Sequence, residues 1–237
     1  MKILISLPVY NEELILKQNV LKIFDYCQRN LKIDWQIVMV DNNSSDQTSS
    51  IGQRLAADFP QLQYLFIPRR GKGAAIRAAW QKFNADIYCF MDVDLATDLS
   101  ALPALIQGIN EGNDLVIGSR FHSDALVKRA LGRRLISYSH HLLIKFFLGS
   151  KISDTPCGFK AINHRVKNQL LPLVENQNWF FDSELVLLAE KKGYRFKEIP
   201  VCWQDFREGQ DKSRVKVISL GLNYWREIIK IKPRLKL

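Results

Sequence analysis

A chain of 237 residues is long enough for one large α/β domain with a modest extension. Its composition, 47% hydrophobic and 24% charged, excludes a mainly disordered protein. The net charge of +10 favours an anionic partner: a nucleotide diphosphate, a nucleic acid or an anionic membrane surface. We find neither a signal-peptide pattern nor an apolar run of the roughly 18 residues that a spanning helix needs, so work at a membrane would be done from its surface.

In the first half of the chain, short apolar runs alternate with segments whose apolar residues recur every three or four positions. The runs, which predict strands, are residues 3–7, 37–40, 65–67, 87–91 and 115–117. The periodic segments, which predict helices, are residues 13–30, 46–58, 72–83 and 99–111. This alternation predicts a mostly parallel sheet with helices on both faces, and ligands of such sheets bind beyond the carboxyl ends of the strands.

The pattern changes after about residue 120. Residues 126–149 combine five basic residues and no acid with many large apolar side chains, and residues 214–237 carry seven basic residues against one acid. Both segments predict basic amphipathic helices. We therefore divide the chain into one domain of residues 1–213, which includes the first amphipathic segment, and a basic extension of residues 214–237.

The four cysteines stand far apart in the sequence and form no metal-ligand pair. Cys27 and Cys89 lie in apolar surroundings, which predicts buried free thiols. Free thiols favour a reducing compartment, so we expect a cytoplasmic protein.

The strongest local signal is the acid pair Asp92 and Asp94, which directly follows the apolar run of residues 87–91. Two carboxylates leaving a buried strand are costly unless a cation lies between them. Mg²⁺ or Mn²⁺ suits that role, held by one or two carboxylates plus substrate phosphates, and would neutralise a departing diphosphate. The alternative is a solvated turn in which Asp98 and Ser100 cap the next helix.

Polar groups also follow the first two predicted strands. Asp41 comes directly after the second, where an acid can accept hydrogen bonds from a ribose or base, and Ser45 or Asp46 is expected to cap the next helix. Residues 8–13 bring an aromatic ring and carboxylates to the same cleft. Glu13 fits better as a first-turn acid of the helix that follows it.

Two later motifs precede predicted helices. In Gly71-Lys72-Gly73, the glycines allow a ligand to approach the backbone and Lys72 favours an anion, although the spacing is not that of a Walker loop. Asp182 and Glu184 form a second acid pair, which is either functional or a first-turn pair on the helix through Leu188.

Taken in order, these segments resemble the family 2 inverting glycosyltransferases of GT-A fold. The resemblance lies in Pro8-Val9-Tyr10-Asn11-Glu12-Glu13, Asp41 to Asp46, Gly71-Lys72-Gly73-Ala74-Ala75, Asp92-Val93-Asp94-Leu95-Ala96-Thr97-Asp98 and Gly118-Ser119-Arg120. Two further motifs are similar to the branch that makes dolichyl- or polyprenyl-phosphate sugars: Asp154-Thr155-Pro156-Cys157-Gly158-Phe159-Lys160 and Phe181-Asp182-Ser183-Glu184-Leu185. The resemblance covers about Ile3 to Lys216.

The resemblance implies a role for each matching residue. The nucleotide-sugar would be held by Pro8, Tyr10, Glu12, Asp41, Lys72 and Asp92. The metal, Mg²⁺ or Mn²⁺, would be held by Asp92 and Asp94. The acceptor phosphate would be received by Arg120, with Arg133 or Arg134 and Ser137. Asp182 and Glu184 would lie near the sugar, and the candidate catalytic residues are Asp94, Asp182 and Arg120.

The chain departs from the family pattern at two places. Asn42-Asn43 follows Asp41 where the family often has Asp or Gly, and Ala96 stands where many mannosyl members carry Gln, so the third metal contact stays open. The glucosyl branch tends to lack that Gln and to carry a motif like Glu198-Ile199-Pro200-Val201-Cys202-Trp203. These features favour UDP-glucose slightly over GDP-mannose as the donor.

The resemblance therefore implies transfer of a hexose, with inversion, from a nucleotide-diphosphate sugar to a polyprenyl or dolichyl phosphate. A lipid phosphate is already an anion and needs no general base. The alternative is a GT-A transferase acting on a hydroxyl in cell-surface polysaccharide synthesis, which would need a base, and Asp182 is then the candidate. Nucleic acid is not expected as a partner, because no nucleic-acid-binding motif is present.

We expect the protein to lie at the cytoplasmic face of the membrane. The basic face of residues 126–149 would meet anionic head groups while Leu142, Leu143, Phe146 and Phe147 enter the lipid boundary. The alternative is a core helix with a solvated cationic face. The oligomeric state is left open.

Overall fold

The computed structural model describes residues 1–128, 131–204 and 217–235, with the backbone alone described for residues 131–137, 139, 140 and 217–223. The strands are β1 (Lys2–Val9), β2 (Asp34–Asp41), β3 (Leu62–Phe66), β4 (Ile87–Met91), β5 (Leu115–Ser119), β6 (Leu126–Lys128), β7 (Phe159–Asn163), β8 (Phe196–Pro200) and β9 (Cys202–Gln204). The helices are α1 (Leu16–Asn30), α2 (Thr48–Asp58), α3 (Lys72–Lys82), α4 (Leu102–Asn110), α5 (Leu131–Leu148), α6 (His164–Gln169), α7 (Phe181–Lys191) and α8 (Val217–Arg234). Short 3₁₀ turns lie at Leu99–Ala101 and Leu171–Leu173.

Seven strands form the main sheet in the order β3-β2-β1-β4-β7-β5-β8. Every neighbouring pair is parallel except those made by β7, which runs antiparallel to both β4 and β5. A small second sheet pairs β6 with β9 in parallel. The prediction of an α/β fold with a mostly parallel sheet is confirmed.

Helices cover both faces of the main sheet, as predicted. Successive strand residues point to opposite faces, so Leu4 and Phe90 belong to one buried core while Ile5 and Cys89 belong to the other. The first core is completed by residues of α3, α5, α6, α7 and α8, and the second by residues of α1, α2 and α4. Cys27 and Cys89 are buried free thiols, as predicted.

Two predictions about element boundaries are wrong. Residues 126–149 are not one helix: Leu126–Lys128 form β6, paired with β9 about 75 residues later along the chain, and α5 begins at Leu131. Such a distant pairing partner leaves no trace in the local periodicity. Helix α1 begins at Leu16 instead of residue 13, because the amides of Ile15 and Leu16 donate to the Glu12 carbonyl in a turn.

The basic tail contains the helix α8, and this helix packs on the domain. Tyr224, Ile228, Ile231 and Leu235 are buried in the same core as α3 and α7. The predicted boundary between residues 213 and 214 lies outside the described residues. Within the described ranges, no helix is both long and apolar enough to cross a membrane.

Candidate active site

The carboxyl ends of β1, β2 and β4 meet at one edge of the sheet because the three strands are parallel neighbours. Val9 is in register with Asp41, and Ser6 is in register with Phe90. The loops that follow these strands therefore open side by side at that edge. This is the edge where the sequence predicted the ligand site.

Lys72 joins two of the predicted site acids. Its Nζ lies 2.9 Å from Asp92 Oδ1 and 2.8 Å from Asp182 Oδ2. Lys72 and Asp182 are buried, whereas the Asp92 side chain is 41% exposed. Burial alone would lower the pKa of Lys72, but Asp182 and Asp92 outweigh it and raise that pKa above its ordinary value. The ammonium group is therefore charged at neutral pH and anchored at the floor of the cleft.

Asp182 keeps one oxygen unused. Its Oδ1 is buried and makes no hydrogen bond within the described part of the chain. An orphaned buried carboxylate oxygen is costly unless a ligand supplies a donor. A hydroxyl group of a bound sugar is such a donor.

Glycines make this close packing possible. A Cβ on Gly71, whose φ is +145°, would lie 2.2 Å from the Gln177 carbonyl oxygen, and one on Gly73 would lie 2.6 Å from Phe181 Cβ. The start of α3, which carries Lys72, therefore reaches the start of α7 only because both positions lack a side chain. The glycines serve this helix contact, a role that the sequence analysis did not foresee.

The loop after β4 is strained where it carries the second acid. Leu95 has a φ of +56°, which is costly for a residue with a branched side chain. Asp94 Oδ1 accepts a hydrogen bond from the Ala96 amide at 3.1 Å, and Asn19 Nδ2 fixes the Val93 carbonyl at 3.0 Å. These bonds hold the two acids on a turn with a defined shape.

Asp41 lies buried at the end of β2. Its Oδ1 accepts from the Ser44 amide at 2.9 Å, and its Oδ2 accepts from the Tyr64 hydroxyl at 2.8 Å. Beside it, the Arg70 guanidinium stacks 4.9 Å from the ring centre of Tyr10. Pro8 is half-buried on the neighbouring strand β1. The residues predicted to hold a nucleoside are thus brought together.

Glu13 serves a different helix from the one predicted. Its Oε2 accepts from the Gln47 amide at 2.9 Å, at the start of α2, because α1 begins three residues after Glu13. Asp46 Oδ1 accepts from the Thr48 amide at 3.0 Å in the turn that leads into α2, but the N-cap position, predicted for Ser45 or Asp46, is occupied by Gln47. Glu12 is half-buried, and its amide donates to the Thr48 hydroxyl at 2.8 Å.

Arg120 is held by Asp154, a residue to which the sequence analysis gave no role. Nε donates to Asp154 Oδ2 at 2.7 Å and Nη2 donates to Oδ1 at 2.8 Å, in a buried bidentate pair. Burial alone would raise the pKa of Asp154, but Arg120 outweighs it and holds that pKa below its ordinary value. Glu198 stabilises the loop that carries Asp154, because its carboxylate accepts a hydrogen bond from the Ser153 hydroxyl at 2.6 Å.

Lys160 is a second unforeseen member of the site. It is fully buried in β7, its ammonium donates to the Cys157 carbonyl, and it lies 5.5 Å from the Phe90 ring centre, on which Lys72 also packs. Burial lowers its pKa, and the nearby Asp182 carboxylate offsets this only in part. A lysine in the middle of a strand motif gives no sequence signal that it lies buried.

Glu184, which was predicted to lie near the sugar, is buried and holds neighbouring segments together. Its carboxylate accepts from the amides of Glu175 and Asn176 at 2.9 and 2.7 Å, and it also accepts from Arg234 of α8. It belongs, with Asp182, to the first turn of α7.

Three predicted acceptor residues, Arg133, Arg134 and Ser137, lie on α5, and their side chains are outside the description. Among the described residues, no three His, Cys, Asp or Glu side chains gather into a metal-binding group. Asp92 and Asp94 supply two carboxylates at an open edge. Such a pair fits Mg²⁺ or Mn²⁺ arriving with a diphosphate, because these ions keep most of their ligands from phosphates and water.

The sequence from residue 5 to residue 171 matches the family model "Glycosyl transferase family 2". The chain is 29% identical over 237 residues to the glycosyltransferase AglD of Haloferax volcanii, covering 98% of this chain and 38% of that protein. It is also 29% identical over 221 residues to the dolichyl-phosphate beta-glucosyltransferase of Saccharomyces cerevisiae, covering 85% of this chain and 66% of that protein. The chain thus spans just over a third of the first relative and about two thirds of the second.

Among solved structures, the chain resembles glucosyl-3-phosphoglycerate synthase from Mycobacterium tuberculosis in complex with Mn²⁺ and uridine-diphosphate-glucose. The TM-score is 0.67 at 19% identity, covering 100% of this chain and 79% of that one. It also resembles TarS from S. aureus, with a TM-score of 0.58 at 15% identity, covering 86% of this chain and 60% of that one. At these identities the likeness concerns the fold alone, and the predicted GT-A fold is confirmed.

Proposed function

Because this chain belongs to glycosyl transferase family 2, we propose that it moves a hexose from a nucleotide-diphosphate sugar to a polyprenyl or dolichyl phosphate. The relative from Saccharomyces cerevisiae is named for transfer to dolichyl phosphate, and its name supports glucose as the sugar. UDP-glucose is accordingly the donor that we favour over GDP-mannose. The reaction is a single displacement: an acceptor phosphate oxygen bonds to the anomeric carbon while the bond to the nucleoside diphosphate breaks, inverting that carbon.

The observation that carries this proposal is the pairing of Asp182 with Lys72 at 2.8 Å. Burial raises the pKa of Asp182 above its ordinary value, and Lys72 offsets this only in part, but the hydrogen bond to the Lys72 ammonium engages Oδ2 and holds the carboxylate in place. A hydroxyl acceptor needs a base, whereas a phosphate acceptor does not. The pairing therefore supports Asp182 as a group that positions the sugar, with Oδ1 left to accept a hydrogen bond from it, and a phosphate acceptor asks no proton transfer of this carboxylate.

The remaining residues divide between donor and acceptor. The nucleoside is assigned to Pro8, Tyr10, Glu12 and Asp41, and the diphosphate to Lys72 and Asp92. Asp92 and Asp94 would hold Mg²⁺ or Mn²⁺, which supplies charge neutralisation for the leaving diphosphate when it is bound. The acceptor phosphate is assigned to Arg120 with Arg133, Arg134 and Ser137, since guanidinium groups bind phosphate oxygens bidentately.

Transfer assays with paired acceptors test the proposal. Purified protein with labelled UDP-glucose or GDP-mannose and Mg²⁺ or Mn²⁺ is offered a polyprenyl phosphate or the corresponding polyprenol, which differ only in the phosphate. We expect product with the phosphate alone, and an inverted anomer by NMR coupling constants. Transfer to polyprenol or to a sugar hydroxyl, but not to the phosphate, would contradict the proposal and favour the hydroxyl-acceptor alternative.

We also propose that α5 and α8 place the protein on the cytoplasmic face of a membrane. Phe146 is 78% exposed and Ile229 is 65% exposed, and the rings of Phe147 and Trp225 lie 5.0 Å apart, so the two helices present one aromatic face (Phe146, Phe147, Trp225 and Ile229). Exposed cations border this face, namely Lys145, Arg226, Lys230 and Lys232. An apolar face bordered by cations suits the head-group region of an anionic bilayer.

Sedimentation with liposomes tests this surface. Protein should pellet with anionic vesicles and be released by high salt, because charge attraction is screened within about 10 Å at 0.1 M. Phe146→Ser should weaken binding about 10- to 150-fold, since burying a Phe contributes roughly 1.5–3 kcal/mol. Phe66→Ser is the matched control, because Phe66 is 49% exposed on β3 and lies outside the aromatic face. Equal binding by both variants would contradict the assignment.

A further inference from the structure

Three buried hydroxyl groups meet beneath the site. Thr155 Oγ1 lies 2.9 Å from Ser183 Oγ, and Ser183 Oγ is in turn hydrogen-bonded to the Tyr224 hydroxyl. The three side chains are only 0–5% exposed. They come from the loop before β7, the first turn of α7 and the helix α8, so one short chain of hydrogen bonds ties together three distant parts of the sequence.

Each of two hydroxyls is the sequence neighbour of a site carboxylate. Thr155 follows Asp154, which holds Arg120, and Ser183 follows Asp182, which holds Lys72. The Thr155–Ser183 bond therefore joins the two segments that carry the carboxylates holding the two cations of the site.

Helix α8 also contacts the residues around Ser183. The rings of Tyr224 and Phe180 pack in a T-shaped arrangement with their centres 4.9 Å apart, and Glu227 accepts a hydrogen bond from Asn176 Nδ2 at 3.0 Å. Arg234 donates to Glu184 in the first turn of α7. Because α8 holds the start of α7 and the loop before it at these three points, the hydroxyl of Tyr224 meets Ser183 in a fixed position.

We propose that Thr155, Ser183 and Tyr224 form a positioning chain that sets the distance between the donor-binding and acceptor-binding cations. The proposal rests on the function proposed above, in which Lys72 faces the donor diphosphate and Arg120 faces the acceptor phosphate. Reacting groups must be held close to the geometry of attack, and a displacement of about 1 Å costs roughly 100-fold in rate. The positioning chain thus affects the rate of transfer and leaves the contacts of each substrate with the protein intact.

Variants that remove single hydroxyl groups test the positioning chain. Thr155→Val keeps the shape and removes the hydroxyl, Thr155→Ser restores a hydroxyl, and Tyr224→Phe removes the hydroxyl at the other end. Tyr194→Phe is the matched control, because Tyr194 is also buried but its hydroxyl donates to Gln169, on α6. Steady-state kinetics with donor and polyprenyl phosphate, donor binding by calorimetry and thermal unfolding are measured for each.

We expect Thr155→Val and Tyr224→Phe to lower kcat by about 10- to 100-fold, with the donor KM and Kd within about twofold of wild type. Thr155→Ser and Tyr194→Phe should retain wild-type kcat within about threefold. If Thr155→Val and Tyr224→Phe fold and keep the wild-type kcat, the proposed positioning role of the three hydroxyl groups is refuted. A parallel loss of kcat, donor binding and thermal stability, which indicates core packing alone, refutes it as well. Wild-type protein inactive on every polyprenyl phosphate would instead refute the proposed function and remove the premise of the chain.

Discussion

Replacing Asp154 by Asn isolates one of the two buried ion pairs of the site. Asp154 is fully buried and the Arg120 side chain is 12% exposed, so the substitution leaves a guanidinium group out of water without its charge partner. The two hydrogen bonds from the Arg120 guanidinium to Asp154, at 2.7 and 2.8 Å, lose the negative charge of their acceptor. The Arg120 amide, which donates to Asp154 Oδ2 at 2.9 Å, loses a strong acceptor as well.

The size of the effect follows from this burial. Breaking a buried ion pair by removing one partner costs about 3–5 kcal/mol in the free energy of unfolding, because the remaining charge is uncompensated. For a chain of this size that corresponds to a fall of roughly 6–20 °C in Tm. The double variant R120M/D154L removes both charges and should recover most of the loss. Glu111→Gln breaks an exposed pair with Lys197 and should leave Tm nearly unchanged.

Urea unfolding as a function of pH gives a second readout of the same pair. Arg120 lowers the pKa of Asp154 in the folded state, so the pair stabilises the fold above the unfolded pKa of about 3.9. This contribution is lost as the pH falls through the folded pKa. The stability gap between wild type and Asp154→Asn should therefore be constant from pH 7 to 5 and shrink below about pH 4. A gap under about 1 kcal/mol at pH 7, or a double variant less stable than Asp154→Asn, would refute the reasoning.

Four further substitutions probe the chemistry of the cleft. Asp94→Asn should lower transfer by ~10³ or more and weaken metal-dependent nucleotide binding with the fold intact; full activity of this variant, or of wild type in excess EDTA, would exclude the metal assignment. Asp182→Asn should lower transfer less than Asp94→Asn, and the opposite order in kcat would point to a hydroxyl acceptor. Arg120→Lys should reduce transfer to lipid about 10- to 150-fold while donor binding measured by calorimetry is retained. Gly158→Ala would place a Cβ 2.0 Å from Asp92 Oδ2, so donor affinity should fall at least about tenfold, and unchanged affinity would show that Asp92 is free to move.

The sequence predicted those parts of the fold whose signal is local. The run of residues 87–91 became β4 with the predicted bounds, since five consecutive apolar residues are too few for a buried helix and typical of a strand covered on both faces. The antiparallel strand β7 was missed because Lys160 interrupts its apolar run. Burying that lysine depends on the Asp182 carboxylate and the Cys157 carbonyl, which no spacing rule relates to a strand.

The same division holds for the site. Asp92, Asp94 and Asp41 were predicted because strand ends of a parallel sheet meet at one edge. The bond between Lys72 and Asp182 joins residues 110 positions apart, and the bond between Arg120 and Asp154 joins residues 34 apart. Such pairs follow from tertiary packing, so a single sequence shows the residues but not which carboxylate holds which cation.

The two ion pairs also bear on how the site changes when substrate binds. Lys72 and Arg120 are each satisfied by a carboxylate, so a phosphate gains most from them if it takes over part of that bonding. Asp92 is the partner most easily released, because its side chain is 41% exposed whereas Asp182 and Asp154 are buried. Under the proposed function, a donor diphosphate that approaches from the open edge would compete with Asp92 for Lys72, while Asp182 would keep the ammonium in place. Asp92 would then be free to turn towards a cation that accompanies the diphosphate, and binding at the proposed metal site would be coupled to arrival of the donor.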